Sequence, residues 1–165
     1  MLTVLIATDG SRGAGHSLEL AQQLLAGKEA DITVLHVIPR HLLLDPRAGP
    51  IVAETFDQSE ARRTAEAVLA SCVKQLQDAG VSGTIRQEIE IGDPADIILT
   101  LAEQRNTDVI VVGSHGTTAL QRFARGSVAT KVATHAHCAV LIGHHQKGTG
   151  ETPTVEEQAS GRSAS

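Results

Sequence analysis

Tryptophan and tyrosine are absent from this 165-residue chain, and Phe56 and Phe123 are its only phenylalanines. Proteins that grip nucleic-acid bases by stacking need aromatic platforms, so that class of function is set aside. Excess positive charge is lacking too. The 14 Lys and Arg against 19 Asp and Glu leave a net charge of −5, whereas binding to a phosphate backbone calls for a basic footprint. Cysteine is scarce: Cys72 and Cys138 form no C-x-x-C pair. They cannot frame a disulfide scaffold, and both read as reduced thiols of a cytoplasmic protein. No apolar run nears the roughly 20 residues of a membrane-spanning helix. Met1-Leu2-Thr3 enters an apolar strand without the basic lead of a signal peptide. The expectation is a soluble cytoplasmic protein with no nucleic-acid or membrane partner.

What is present is a 41% apolar complement, enough to fill the core of one domain. Short β-branched runs at 3–8, 31–38, 84–91, 108–113 and 139–143 read as strands. Those around Val4-Leu5-Ile6 and Val109-Ile110-Val111-Val112 show no in/out alternation, as expected of strands covered on both faces. Helical stripes lie between them. Ala14, Leu18, Ala21 and Leu25 form one, closed by Gly27; Ala61, Ala65, Val68, Leu69, Cys72 and Leu76 form another, closed by Gly80. Asp93-Pro94 opens a third helix, and Ser127 a fourth, with Val128, Val132 and Ala136 inward.

The β-α alternation predicts an α/β fold, a single doubly wound, Rossmann-like sheet of five parallel strands with helices on both faces. Its first strand is expected at the centre, with a topological switch between the first and fourth strands. Ligands bind beyond the carboxyl ends of the strands at such a switch. The domain spans residues 1–145. Residues 40–55, with Pro46 and Pro50, read as a long loop. Residues 146–165 are too polar to offset their ordering entropy and are expected to be disordered. The last strand, 139–143, is apolar and falls at a sheet edge, which predicts homodimer pairing.

After the fourth strand comes Gly113-Ser114-His115-Gly116, then nine residues, then Gly126-Ser127. This G-x-x-G-x9-G-S pattern suits a polyphosphate. Gly113 and Gly116 let the backbone approach closely with its amides, and Gly126-Ser127 brings a helix N-terminus, whose dipole favours an anion. The Ser127 hydroxyl can add a phosphate hydrogen bond, or simply cap the helix. The alternative for the whole motif is a glycine-rich turn. Asp9, beyond the first strand, is placed for a ribose hydroxyl or a metal; it can instead cap the first helix, with Ser11 competing.

With these motifs, and with Ala7-Thr8-Asp9-Gly10-Ser11, Leu35-His36-Val37 and Gly126-Ser127-Val128, residues 2–143 resemble the universal stress protein family in its ATP-binding branch. The resemblance implies ATP as ligand, with Mg²⁺ accompanying the phosphates, and commonly a dimer. It would place Asp9 at the ribose or adenosine side and the backbone of Val37 near adenine. Gly113, Gly116, Gly126, Ser127 and Val128 would surround the phosphates. Two departures, Cys138-Ala139 where many members have Cys-Pro and an additional C-terminal tail, do not touch this site.

The other polar residues read as background. His115 lies within the loop but has no Ser-His-Asp order around it. His135, His137 and Cys138 lack a second ligand pair at structural zinc spacing, and His144-His145 are weaker still. Arg122 and Arg125 can reach a terminal phosphate or stay solvated. Lys28 and Glu29 read as surface residues at a helix end. No catalytic or metal site is assigned. The expected function is that of an ATP-binding regulatory or stress-response protein. The competing readings are a slow ATP hydrolase or ATP-dependent transferase, and a dimeric interaction module without nucleotide. A G-K-[S/T] P-loop is absent, as are the H-x-G-H and S-G-G-x-D-S loops of related transferases and ligases.

Overall fold

The structure, a computed structural model, describes residues 1–39, 58–114 and 127–143. Its elements run β1 (Leu2–Ala7), α1 (Arg12–Leu25), β2 (Glu29–Pro39), α2 (Gln58–Asp78), β3 (Ser82–Gly92), α3 (Pro94–Gln104), β4 (Val109–Gly113), α4 (Ser127–His135) and β5 (Ala139–Gly143). The sheet order is β3-β2-β1-β4-β5, and every pairing is parallel. This is the doubly wound α/β sheet the alternation predicts. β1 is central, and the order in which strands are added across the sheet reverses between β1 and β4.

Both faces of the central strands are covered. Val4, Ile6 and Val111 pack with α1 and α2 through Leu18, Ala21, Leu69, Cys72 and Leu76. Leu5, Ile110 and Val112 pack on the opposite side with α3 and α4 through Ile98, Ala102, Ala129 and Val132. Successive strand residues point to opposite faces, so an unbroken apolar run serves two cores at once. The stripe of α4 is shifted slightly from expectation: Ala129 and Val132 are fully buried, while Val128 and Ala136 sit at the margin.

β2 and β3 are longer than their apolar runs, pairing from Glu29↔Ser82 to Pro39↔Gly92. Their extra rungs carry polar side chains, including the Arg86–Asp31 ion pair. Glu29 therefore opens β2 rather than ending a helix. No helix among the described residues is long and apolar enough to cross a membrane. Residues 40–57 and 144–165, which hold the expected loop and tail, lie outside the described residues.

α3 starts as the sequence predicts. The Asp93 carboxylate accepts the Asp96 N–H at 3.0 Å, and Pro94 takes the first helical position. From α4, Lys131 Nζ reaches Asp96 at 2.7 Å and Asp93 at 3.5 Å, tying together the N-terminal halves of α3 and α4. The Asp96 amide, seconded by Lys131, holds the Asp93 carboxyl below the usual carboxylate range. A depressed folded-state pKa contributes stability that is complete above the unfolded value and is lost as pH falls through the folded one. Asp93→Asn keeps a capping oxygen but removes the titration. Its stability should thus fall less steeply than wild type below about pH 4. Urea melts with identical acid slopes for the two proteins would refute this.

Candidate functional site

At the carboxyl end of β1 the backbone makes one last sheet bond, Thr8 N–H to Leu35 C=O at 2.9 Å, and turns. Each of the next residues is used. Thr8 Oγ1 accepts the Gly10 N–H at 3.2 Å and Asp9 Oδ1 accepts the Ser11 N–H at 3.0 Å. Ser11 Oγ accepts the Ala14 N–H at 3.2 Å and caps α1. Gly10 has φ +74°, and a Cβ there would lie 2.9 Å from Val68 of α2, so glycine is required twice over. Ser11, not Asp9, is therefore the helix cap, and Asp9 shapes the turn that leads to it. Side chains already occupy three amides of this turn, which makes the start of α1 a poor anion site.

β2 continues past β1 to Pro39. Backbone groups of alternate strand residues point to the same side. Because Leu35 C=O faces β1, the N–H and C=O of Val37 face the space beyond Asp9. The Val37 side chain is turned away into the α3/α4 core. Across the switch, β4 ends at Gly113, paired with Gly143, and the buried Ser114 donates its N–H to Gly143 C=O at 3.0 Å. Ile6↔Val111 register brings the exits of β1 and β4 side by side. α4 begins at Ser127, with Val128 half-buried on the second core. Gly116 and Gly126, with His115, Arg122 and Arg125, lie outside the described residues.

Gly113 has a packing role that its place in the motif conceals. A Cβ on it would lie 2.7 Å from Ala14 N and 2.8 Å from Gly13 C, so α1 rests directly on the end of β4. Gly143 is tighter still, with Ser17 Oγ at 2.3 Å and Ser17 N at 2.5 Å from the position of a Cβ. Ser17 itself is buried at 1% exposure. Its hydroxyl donates to Val112 C=O at 2.7 Å, with Gly13 C=O at 3.0 Å as a second acceptor, and accepts the Gly143 N–H at 3.1 Å. One side chain thus fastens α1 to β4 and β5. Sequence reading missed it, although a serine inside the apolar stripe between Ala14 and Leu18 is the available signal.

His36, quoted in the Leu35-His36-Val37 match, is the other residue to which sequence reading gave no role of its own. It lies on β2 beside the end of β1, and its Nδ1 is enclosed with no hydrogen-bond partner among the described residues. Burial pushes the imidazole below its ordinary pKa, opposed by the Asp9 carboxylate and by a backbone contact at Thr8. The Cys72 thiol is raised by burial, partly offset by the Thr8 hydroxyl, and burial raises Cys138 as well. Both thiols are therefore protonated at neutral pH. His135 Nδ1 contacts Lys131 C=O at 2.8 Å at the end of α4. Among the described residues, no three His, Cys, Asp or Glu stand close enough to hold a metal ion.

The exits of β1 and β4 thus meet at the switch point of a doubly wound sheet, and sequence comparison names the family. The Universal stress protein family model matches residues 1–144, and the chain belongs to that family. It is 32% identical to universal stress protein MJ0531 of Methanocaldococcus jannaschii, over 84% of this chain and 79% of that protein. Among solved structures, the protein MJ0577 superposes with a TM-score of 0.73 at 24% identity, covering 89% of this chain and 98% of that one. A universal stress protein in complex with cAMP gives a TM-score of 0.61 at 25% identity, covering 87% and 96%.

Proposed function

We propose that this protein binds ATP at the β1/β4 switch and acts as a nucleotide-responsive regulator of the stress response. One observation carries the reading: the G-x-x-G-x9-G-S motif begins where β4 leaves the sheet, next to the Asp9 turn, and ends where α4 begins. Helix N-termini attract anions. Ser127 and Val128 open α4 and supply its first amides toward phosphate, with Gly113, Gly116 and Gly126 giving the backbone room. Asp9 takes the ribose side and the backbone of Val37 the adenine. Mg²⁺ accompanies the phosphates. The cAMP complex of a family member supports a nucleotide as the ligand class.

The test is calorimetric titration of the folded protein with ATP and Mg²⁺, together with analysis of nucleotide released on denaturation. Wild type should bind below the millimolar range. Ser127→Ala loses one charge-assisted hydrogen bond of about 1.5–3 kcal/mol, or roughly ten- to a hundred-fold in affinity. Asp9→Ala weakens binding through the nucleoside end. A wild type that carries no nucleotide and shows no affinity below the millimolar range would overturn the reading. Rapid turnover that survives Asp9→Ala and fails in His115→Ala would favour the hydrolase instead.

The partner surface is β5. It is an edge strand of uncharged residues, Ala139–Gly143, with Val140, Leu141 and Ile142 half-exposed. The opposite edge, β3, carries Arg86, Glu88 and Glu90, the charges by which edge strands avoid pairing. β5 lacks such protection and pairs with β5 of a second copy about a two-fold axis. Ile142→Lys should shift sedimentation from dimer toward monomer. A monomeric wild type at tens of micromolar would refute the dimer.

A further inference from the structure

His36 occupies a place that packing alone does not explain. On β2 it follows Ile32 and Val34, whose side chains belong to the α1/α2 core, so alternation puts the imidazole on that same face, at the carboxyl end of the sheet. Its strand neighbours are Ile89 of β3 and the Thr8 end of β1. α2 covers this region, with Val68 against Gly10 and Cys72 against Thr8. Among the described residues the charges around it are few. Glu88 and Glu90 flank Ile89 in sequence and so point to the other face, where Glu88 pairs with Arg105. On α2, Arg62 and Glu66 are exposed and pair with each other, and the Cys72 thiol is neutral. Asp9 is the charge that acts on the ring.

We propose that His36 and Asp9 form a proton-operated latch on the nucleotide site. With a neutral imidazole, the Asp9 carboxylate holds the β1–α1 turn and faces the ligand; with a protonated imidazole, that carboxylate is drawn to His36 and nucleotide affinity falls. The ligand half of this proposal rests on the role given to Asp9 under the proposed function. The reasoning is a matter of acceptors. Protonation turns both ring nitrogens into donors, and the enclosed Nδ1 has no acceptor among the described residues. Asp9 is the nearby anion, and it is engaged with the Ser11 amide. The Ser11 bond uses Oδ1, so drawing the carboxylate toward the ring shifts it against the turn that leads into α1. Burial keeps the imidazole neutral at pH 7 and sets its titration on the acid side of the ordinary histidine value. Ligand and proton therefore compete for one carboxylate, and linkage requires the competition to be mutual.

Two arms test this. In the ligand-free protein, the His36 ring and the Ser11 amide are followed by NMR as pH falls from about 7.5 to about 5. The Ser11 amide should shift with the same midpoint as the ring, and Asp9→Asn should lower the ring's midpoint and uncouple the amide. A Ser11 amide that ignores the His36 titration, or a midpoint unchanged in Asp9→Asn, overturns the latch whether or not nucleotide binds. In the second arm, ATP affinity is measured at about pH 7.5 and about pH 5.5. Wild type should lose about tenfold more than His36→Gln, whose residual change reports protonation of the ATP phosphates themselves. Equal losses, or a rise in affinity at acid pH, overturn the proposal. If ATP does not bind at either pH, the proposed function fails and the ligand-free arm decides the latch alone. Should His36→Gln fail to fold, wild type and Asp9→Asn still carry that arm.

Discussion

Gly143→Val is expected to abolish cooperative folding. Its Cβ would lie 2.3 Å from Ser17 Oγ, 2.5 Å from Ser17 N and 2.6 Å from Ser17 Cα. Two of these atoms are backbone of α1, so no rotamer change relieves the contact and the helix itself must withdraw. Ordinary overpacking costs about 1–3 kcal/mol. Here the withdrawal also breaks the bonds from Ser17 to Val112 and Gly143, stranding buried groups at about 1–3 kcal/mol each. Against a total stability of about 5–15 kcal/mol, little remains. Circular dichroism with urea denaturation decides it. A variant with a transition midpoint near that of wild type would show that α1 is not seated as described. Gly15→Ala makes the contrast: its Cβ meets nothing within 4 Å, and inside a helix the change should stabilise by about 0.5–1 kcal/mol.

The largest functional effect is expected from Gly116→Val and Gly126→Val. On the proposed function each puts a branched side chain where backbone is to meet phosphate, and ATP binding should fall below detection by calorimetry. Near-native melting of either variant beside lost binding would assign the glycine to the ligand. Retained affinity would remove that glycine from the site. Gly113 cannot serve in such a test. Because its missing Cβ is the space where Gly13 and Ala14 rest, a Gly113 variant that fails to bind ATP reports on packing as much as on phosphate.

The fold was legible because the apolar runs of β1 and β4 are continuous, and continuity means two covered faces. The capping signals at Ser11, Asp93 and Gly27 were equally local, and each is used: Ser11 and Asp93 accept amides, and Gly27 has φ +69°. The polar rungs of β2 and β3 escaped notice because an edge strand can be charged and still fully paired. Of the candidate site, the sequence located Asp9 beside the switch. It could not separate two uses of glycine, since Gly113 and Gly143 look alike whether a ligand or a helix approaches them. Nor could it find Ser17, whose partners are 95 and 126 residues away, or the enclosure of His36, which depends on α2 lying across the strand ends.

The Ser17–Gly143 bond joins the first helix to the last strand across 126 residues of chain. Contacts of such separation come late in folding, because so much chain must be ordered before they form. α1 emerges early from the ribosome, and β1 is the central strand, yet their neighbour β4 and the edge strand β5 are made last. The β1 and β4 exits are thus set side by side by strands made about a hundred residues apart. Synthesis must pass Gly143 before Ser17 can close the seam that holds α1 against β4 and β5.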